Sequence, residues 1–283
     1  MILARRIDEV RAALSAARRD GRRIALVPTM GALHAGHLEL VRHAHQQADV
    51  VAMSIFVNPT QFGPAEDLSR YPRPLERDLE LAEEAGVGLV FHPSEGVMYP
   101  TPPALGVSIH GLADHLCGAS RPGHFNGVLQ VVNKLFNIFQ PDVAVFGQKD
   151  IQQYRLIETM VAEYDHPIRL IRAVTTREAD GLALSSRNAY LTPDQRAIAP
   201  AIYRELTHIA ATLASRPETP VSELCEASIA RLQANGFKND YLSVVDYASL
   251  TPVARVSSGQ THIIAAAQFL GTTRLIDNVI VDL

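Results

Sequence analysis

Residues 24–40 read IALVPTMGALHAGHLEL, and the fold follows from how this stretch divides. Ile24 to Val27 is a short apolar run behind Arg22 and Arg23, the length and flanks of a buried strand. Pro28 brings no N–H and is expected to stop the ladder there. Thr29-Met30-Gly31-Ala32-Leu33 then forms a tight loop of mostly small residues. After His34-Ala35-Gly36-His37, the apolar Leu38, Leu40, Val41 and Ala44 can line one helical face. The reading is strand, loop, helix, with two histidines at the helix entrance. A helix start offers unpaired N–H groups and the positive end of a dipole, which suits a phosphate. Gly31 and Gly36 let backbone approach a ligand without a Cβ in the way. His34 and His37, three apart, share one side of the first turn and can donate to charge developing on a phosphate. The pair also reads as simple helix capping. It is not a zinc site by itself, since such sites need three or four ligands.

Composition sets the bounds. The chain has 283 residues, 47% hydrophobic and 20% charged, with a net charge of −4. These values suit a globular protein of one large domain or two, and they argue against a broad nucleic-acid-binding surface. The two cysteines, Cys117 and Cys225, form neither a disulfide framework nor a Cys-x-x-Cys pattern, which suits a reducing compartment. No apolar run approaches the ~18 residues of a membrane span. The arginines near the N-terminus are mixed with Asp8, Glu9 and Asp20, and Ile7, Val10, Leu14 and Ala17 keep helical spacing. A first amphipathic helix fits better than a transit peptide, and a cytoplasmic location is expected.

Outward from the opening unit, strands are expected at Val50 to Val57, Val87 to Phe91, Asp142 to Phe146 and Ile168 to Ala173. Helices are expected at Leu75 to Ala85, Gly127 to Phe139 and Ile151 to about Ala162. A polar loop leads to Pro74, and Gly86 is placed to cap the helix before it. Residues 92–126, rich in proline and glycine, read as a long excursion with at most short elements. This alternation implies right-handed βαβ units and a parallel sheet. Past a polar loop, Thr175 to Asn188, the pattern changes: helices at Pro193 to Ala214 and Val221 to Ala234, then strands at Tyr241 to Val245, His262 to Ala267 and Val279 to Val281. The expected organisation is a Rossmann-like α/β domain over 1–174 and a smaller C-terminal α+β lid domain over 175–283.

Three candidate clusters fall just past predicted strand ends: Met30 to His37, Asn58 to Gln61, and Gly147 to Gln153. In open parallel sheets ligands bind outside those ends. Neither G-x-G-x-x-G nor a P-loop is present, so phosphates must be held another way. Lys149 can reach phosphates as a point charge. Asp150 can be a ligand contact or the N-cap of the next helix. Gln61 and Gln153 can hold a small polar acid by amide hydrogen bonds. Asp78 reads as a magnesium-side carboxylate or as a solvated helix face.

His34-Ala35-Gly36-His37 matches the His-x-Gly-His motif of the adenylate-forming and nucleotidyl-transferring Rossmann superfamily. The longer VPTMGALHAGH resembles the pantothenate synthetases (pantoate–β-alanine ligases). Ser120-Arg121-Pro122-Gly123-His124-Phe125 and, more weakly, Arg274-Leu275-Ile276-Asp277-Asn278 look like further segments of that family. Ser185-Ser186-Arg187-Asn188 resembles the superfamily's second signature, a mobile loop whose cation meets the outer phosphates. The resemblance implies ATP-dependent condensation of pantoate with β-alanine through a pantoyl adenylate. It also implies Mg²⁺ on the phosphates and a homodimer; from charge and hydropathy, neither nucleic-acid nor membrane partners are expected. It assigns catalysis to His34, His37, Lys149, Ser185, Ser186 and Arg187. ATP contacts fall to those residues and to Met30, Gly31, Ala32, Leu33, Ala35, Gly36, Gly147, Gln148, Asp150, Thr176 and Leu184. From their own chemistry, Asn58, Gln61, Gln153 and Arg121 are the candidates for pantoate or β-alanine, with Arg121 reading equally as a loop salt-bridge partner, and Asp78 is the candidate for the metal. Another nucleotidyltransferase of the superfamily, or a nucleotide-responsive binding protein without turnover, are the alternatives.

Overall fold

A computed structural model describes residues 1–64 and 66–283; residue 65, inside the predicted loop before Pro74, lies outside the described residues. The first elements are β1 (Ile2–Ala4), α1 (Ile7–Arg19), β2 (Ile24–Thr29), α2 (Ala35–His45), β3 (Val50–Ile55), α3 (Leu75–Glu84) and β4 (Leu89–Phe91). Then come α4 (Glu95–Met98), α5 (Leu116–Ser120), α6 (His124–Phe139), β5 (Val143–Gly147), α7 (Ile151–Glu163) and β6 (Arg169–Ala173). The chain ends with α8 (Pro193–Ile198), α9 (Ala201–Ser215), α10 (Val221–Ala234), β7 (Lys238–Asp246), β8 (Thr261–Leu270) and β9 (Thr273–Asp282). Two compact units result: Met1–Ile109 with Pro122–Gln148 and Gln153–Val174, and His110–Arg121 with Lys149–Gln152 and Thr175–Leu283.

The first unit is built on a six-stranded sheet in the order β1-β4-β3-β2-β5-β6, parallel at every pairing. The Rossmann-like α/β expectation is met. Alternation decides which side chain faces which layer. Ala25 and Val27 of β2 join Val51, Met53 and Ile55 of β3 in one core with Val41 and Ala44 of α2 and Ala82 of α3. The opposite face takes α1 and α6, where Phe91 and Phe139 meet edge to face at 5.8 Å. Strand β1 is too short and too exposed to show a sequence pattern, and no strand is expected there.

Pro28 does not stop the ladder. It pairs in register with Ser54, and β2 runs on to Thr29. The carbonyl of Thr29 accepts from Phe56 on the β3 side, while that of Ile24 accepts from Asp142 on the β5 side. Backbone polar groups alternate along a strand, so the missing N–H of Pro28 faces β5. There β2 is paired only at Ala25 and Leu26, and no bond is lost. Between β2 and β5 the strand order also reverses direction, the place where open α/β sheets bind ligands.

The second unit holds the antiparallel sheet β7-β8-β9, whose strands are longer than expected because polar residues such as Asp240 and Asp277 sit within them. Leu206, Ile209 and Leu213 of α9 and Leu232 of α10 pack with Val244, Ile264, Ala266 and Leu275. The single helix expected over 193–214 is two, α8 and α9. Pro200 lacks the N–H that would continue the first.

Candidate functional site

The loop after β2 is held in an unusual shape. Gly31 has φ +85, and its neighbour Ala32 is also left-handed at φ 51. Two successive left-handed residues turn the chain sharply and direct main-chain N–H groups inward. Asp78 collects two of them: Oδ2 accepts from Ala32 N at 2.8 Å and Oδ1 from Leu33 N at 2.7 Å. A Cβ on Gly31 would lie 2.9 Å from Asp78 Oδ2, so glycine is required there for space as well as for φ. Asp78 is therefore no solvated helix residue: it is 1% exposed. Burial raises its pKa, and the two N–H donors oppose that rise.

At the start of α2 each histidine has a defined job. His34 Nδ1 accepts from Gly36 N at 3.1 Å, and His37 Nδ1 accepts from His34 N at 3.3 Å. The rings lie 4.1 Å apart. Capping is thus real, and it has a chemical consequence. A nitrogen that accepts carries no proton, so in the neutral imidazole the proton sits on Nε2. Both rings present Nε2–H as the donor, and Gly36 N–H serves the cap. Met30 lies half-buried before the loop, and Ala35 is exposed at the first helical position.

Past β3, Asn58 is 1% exposed and its side chain is fully engaged. Its Nδ2 donates to Gln61 Oε1 and to Gly127 O, each at 3.1 Å. Its Oδ1 accepts from Tyr99 Oη at 2.9 Å and Thr60 Oγ1 at 3.0 Å. This arrangement orients Gln61, whose Nε2 reaches Met30 Sδ at 3.2 Å. A thioether is a weak acceptor, so that amide is a donor easily transferred to a stronger oxygen. Burial raises the Tyr99 pKa, keeping its hydroxyl protonated as the donor. His124 holds the same turn, with Nδ1 donating to Gln61 O at 2.7 Å. The sequence alone gives Tyr99 and His124 no role. His124 lies in the quoted SRPGHF segment and begins α6, three residues earlier than expected.

Gly147 ends β5 and Gln148 follows it in the first unit, and half-buried Gln153 sits there on α7. Lys149 and Asp150 belong to the second unit, paired at 3.7 Å. Arg121, after α5, belongs there too, as do Thr176, Leu184, Ser185, Ser186 and Arg187. The Thr175 to Asn188 segment, expected as a loop, is a hairpin followed by a turn. Leu184 N donates to Thr176 O at 3.0 Å and Glu178 N to Leu182 O at 2.9 Å. Ser185 Oγ then caps the 3-10 turn Ser186–Tyr190 by accepting from Arg187 N at 3.3 Å. The phosphate-directed candidates thus fall in two sets, His34 and His37 in one unit, Lys149, Ser185, Ser186 and Arg187 in the other. Among the described residues no group of three or more His, Cys, Asp or Glu is arranged to hold a metal ion, and no helix is long and apolar enough to cross a membrane.

The family model described as pantoate-beta-alanine ligase matches residues 2–280. The pantothenate synthetase of Azotobacter vinelandii is 50% identical over the whole of both chains, and that of Moorella thermoacetica 51% identical over 100% of this chain and 99% of its own. The crystal structure of pantothenate synthetase from Thermus thermophilus superposes with a TM-score of 0.90 at 43% identity, covering 99% of both chains. The pantoate-beta-alanine ligase of Francisella tularensis, solved in complex with beta-gamma ATP and beta-alanine, gives a TM-score of 0.81 at 35% identity, over 99% of this chain and 97% of that one. By sequence along its length and by fold in both units, this chain belongs to the pantoate-beta-alanine ligase family and is a ligase.

Proposed function

We propose that the protein condenses pantoate with β-alanine at the expense of ATP, in two steps. A pantoate carboxylate oxygen attacks the α-phosphorus of ATP; the bond to the bridging oxygen breaks, giving pantoyl adenylate and pyrophosphate. The β-alanine amine then attacks the acyl carbon; AMP leaves with the electron pair of the broken C–O bond, and the nitrogen loses a proton. Pantoate is already an anion, so the first step needs no general base. It needs alignment and neutralisation of charge on the transferring group.

The observation that carries this reading is the pair of Nδ1-capped histidines, whose Nε2–H donors stand at a helix start past the reversal point of the sheet. We assign them, with Lys149, Ser186 and Arg187 of the second unit, to the phosphates. Gln61, with its amide oriented by Asn58, is assigned with Gln153 to pantoate, and Arg121 to a substrate carboxylate. The Francisella complex with beta-gamma ATP and beta-alanine supports ATP as the nucleotide. For Mg²⁺ the described residues offer no cage of carboxylates, and both oxygens of Asp78 already accept from loop N–H groups. A cytoplasmic homodimer belongs to the same proposal.

Product analysis tests it. Incubation with ATP, Mg²⁺, pantoate and β-alanine is expected to yield pantothenate, AMP and pyrophosphate in equal amounts. ADP and phosphate in their place would overturn the adenylate route. ATP consumption that ignores pantoate would point to another superfamily activity.

A further inference from the structure

The segment Arg274-Leu275-Ile276-Asp277-Asn278 lies in β9, and each of its polar residues makes a tie to a segment outside the sheet. Alternation sends Arg274 and Asn278 to one face and Asp277 to the other. Arg274 Nη2 donates to Asp240 Oδ2 at 2.7 Å and to Cys117 Sγ at 3.5 Å, beside Tyr241. Asn278 Nδ2 donates to the main-chain oxygen of Lys149 at 2.9 Å. On the other face Asp277 makes a two-pronged ion pair with Arg177, at 2.6 and 2.9 Å. Arg177 in turn donates to Gly181 O at 3.1 Å and stacks on Tyr203. Each tie reaches a different segment: 110–121, 149–152 and 175–188.

Those segments are the ones that carry Arg121, Lys149, and Ser185 to Arg187. The first two are short stretches that leave the first unit and pack with the second. Gln152 joins them to each other, donating to Leu112 O at 2.9 Å and His115 O at 2.8 Å. Asn278 and Asp277 are 1% and 5% exposed, so both ties are shielded from competing water.

We infer that β9 is the positioning strand of the phosphate-directed cations: Asn278 fixes Lys149 through its backbone, and Asp277, through Arg177, fixes the hairpin that leads to Ser185–Arg187. Neither is a catalytic residue. The inference rests on the proposed adenylation chemistry for its kinetic consequence, but the ties themselves can be tested without it.

The test uses the full chain, Asn278→Ala and Asp277→Asn. Hydrogen exchange without nucleotide is read over 147–152 and 175–185. Pyrophosphate release is compared with amide formation from supplied pantoyl adenylate. Asn278→Ala should exchange faster at 147–152, and Asp277→Asn at 175–185. Each should slow pyrophosphate release by up to roughly 10²-fold, the scale of a misplaced reacting group, with amide formation little changed. Asp277→Asn keeps the side-chain volume, so it decides the matter if Asn278→Ala does not fold. Unchanged exchange at the paired segment overturns the inference, as does an equal loss in both half-reactions, which marks a general structural role. If the wild-type protein makes no AMP, the adenylation reading fails, and the exchange data alone decide whether β9 holds these segments.

Discussion

A histidine's neighbours choose which of its nitrogens carries the proton, and here the choice is made by two main-chain N–H groups. That detail is legible in the sequence only in part. The motif points to His34, His37 and the helix start, and both of its readings, capping and donation, describe the same rings. Partners remote in sequence leave no such trace. Asp78 meets Ala32 at a separation of 46 residues, and Asn58 meets Gly127 at 69. A pattern of local spacing contains neither. Gly127 shows how tight the second contact is: a Cβ there would sit 2.2 Å from Thr60 O and 2.7 Å from Gln61 N, both backbone atoms. Gly127→Ala is therefore expected to destabilise the fold by about 1–3 kcal/mol through overpacking. It should also raise the pantoate requirement, because the Asn58–Gln61 turn must shift. Denaturant unfolding and pantoate saturation check both parts; an unchanged KM would detach Gly127 from substrate binding.

At the scale of elements, strands and helices with a clean period match their expected places, and departures come where another force sets the boundary. Pro200 splits one helix into two. The hairpin at 176–184 reads as loop in the sequence because its stabilisation is electrostatic: Arg196 grips Glu178 and Asp180, each at 2.6 Å. The Arg196 guanidinium holds the Asp180 carboxyl below its ordinary 3.8. A carboxyl lowered on folding contributes stability that is complete above the unfolded value and is lost as pH falls through the folded one. The melting temperature of Asp180→Asn should therefore lie below wild type near neutrality, and the gap should close as pH drops below about 4. A gap independent of pH would mean that the ion pair does not hold the hairpin. If the second signature opens for pyrophosphate, this clamp places the movement in Ser186–Tyr190 rather than in the hairpin.

Across the whole molecule, the parallel sheet and the smaller antiparallel sheet are both legible beforehand, because strand–helix alternation and its loss past residue 175 are properties of the chain. Hidden from any such reading is that two short stretches before that point, 110–121 and 149–152, pack with the later unit. In the proposed reaction, amide formation follows departure of pyrophosphate. Lys149→Ala and His37→Ala should each slow the first half-reaction by roughly 10²–10³, about 3–4 kcal/mol. Amide formation from supplied pantoyl adenylate should survive. Near-normal overall rates in both variants would remove the phosphate assignment.

Pro28 gives the parallel sheet a fixed aperture. The strands β2 and β5 are fastened at Ala25 and Leu26 and no farther, and above them the proline withholds the one donor that would fasten the next step. They resemble a zip with a tooth left out. The gap between the two strand ends is written into a covalent ring rather than into side-chain packing.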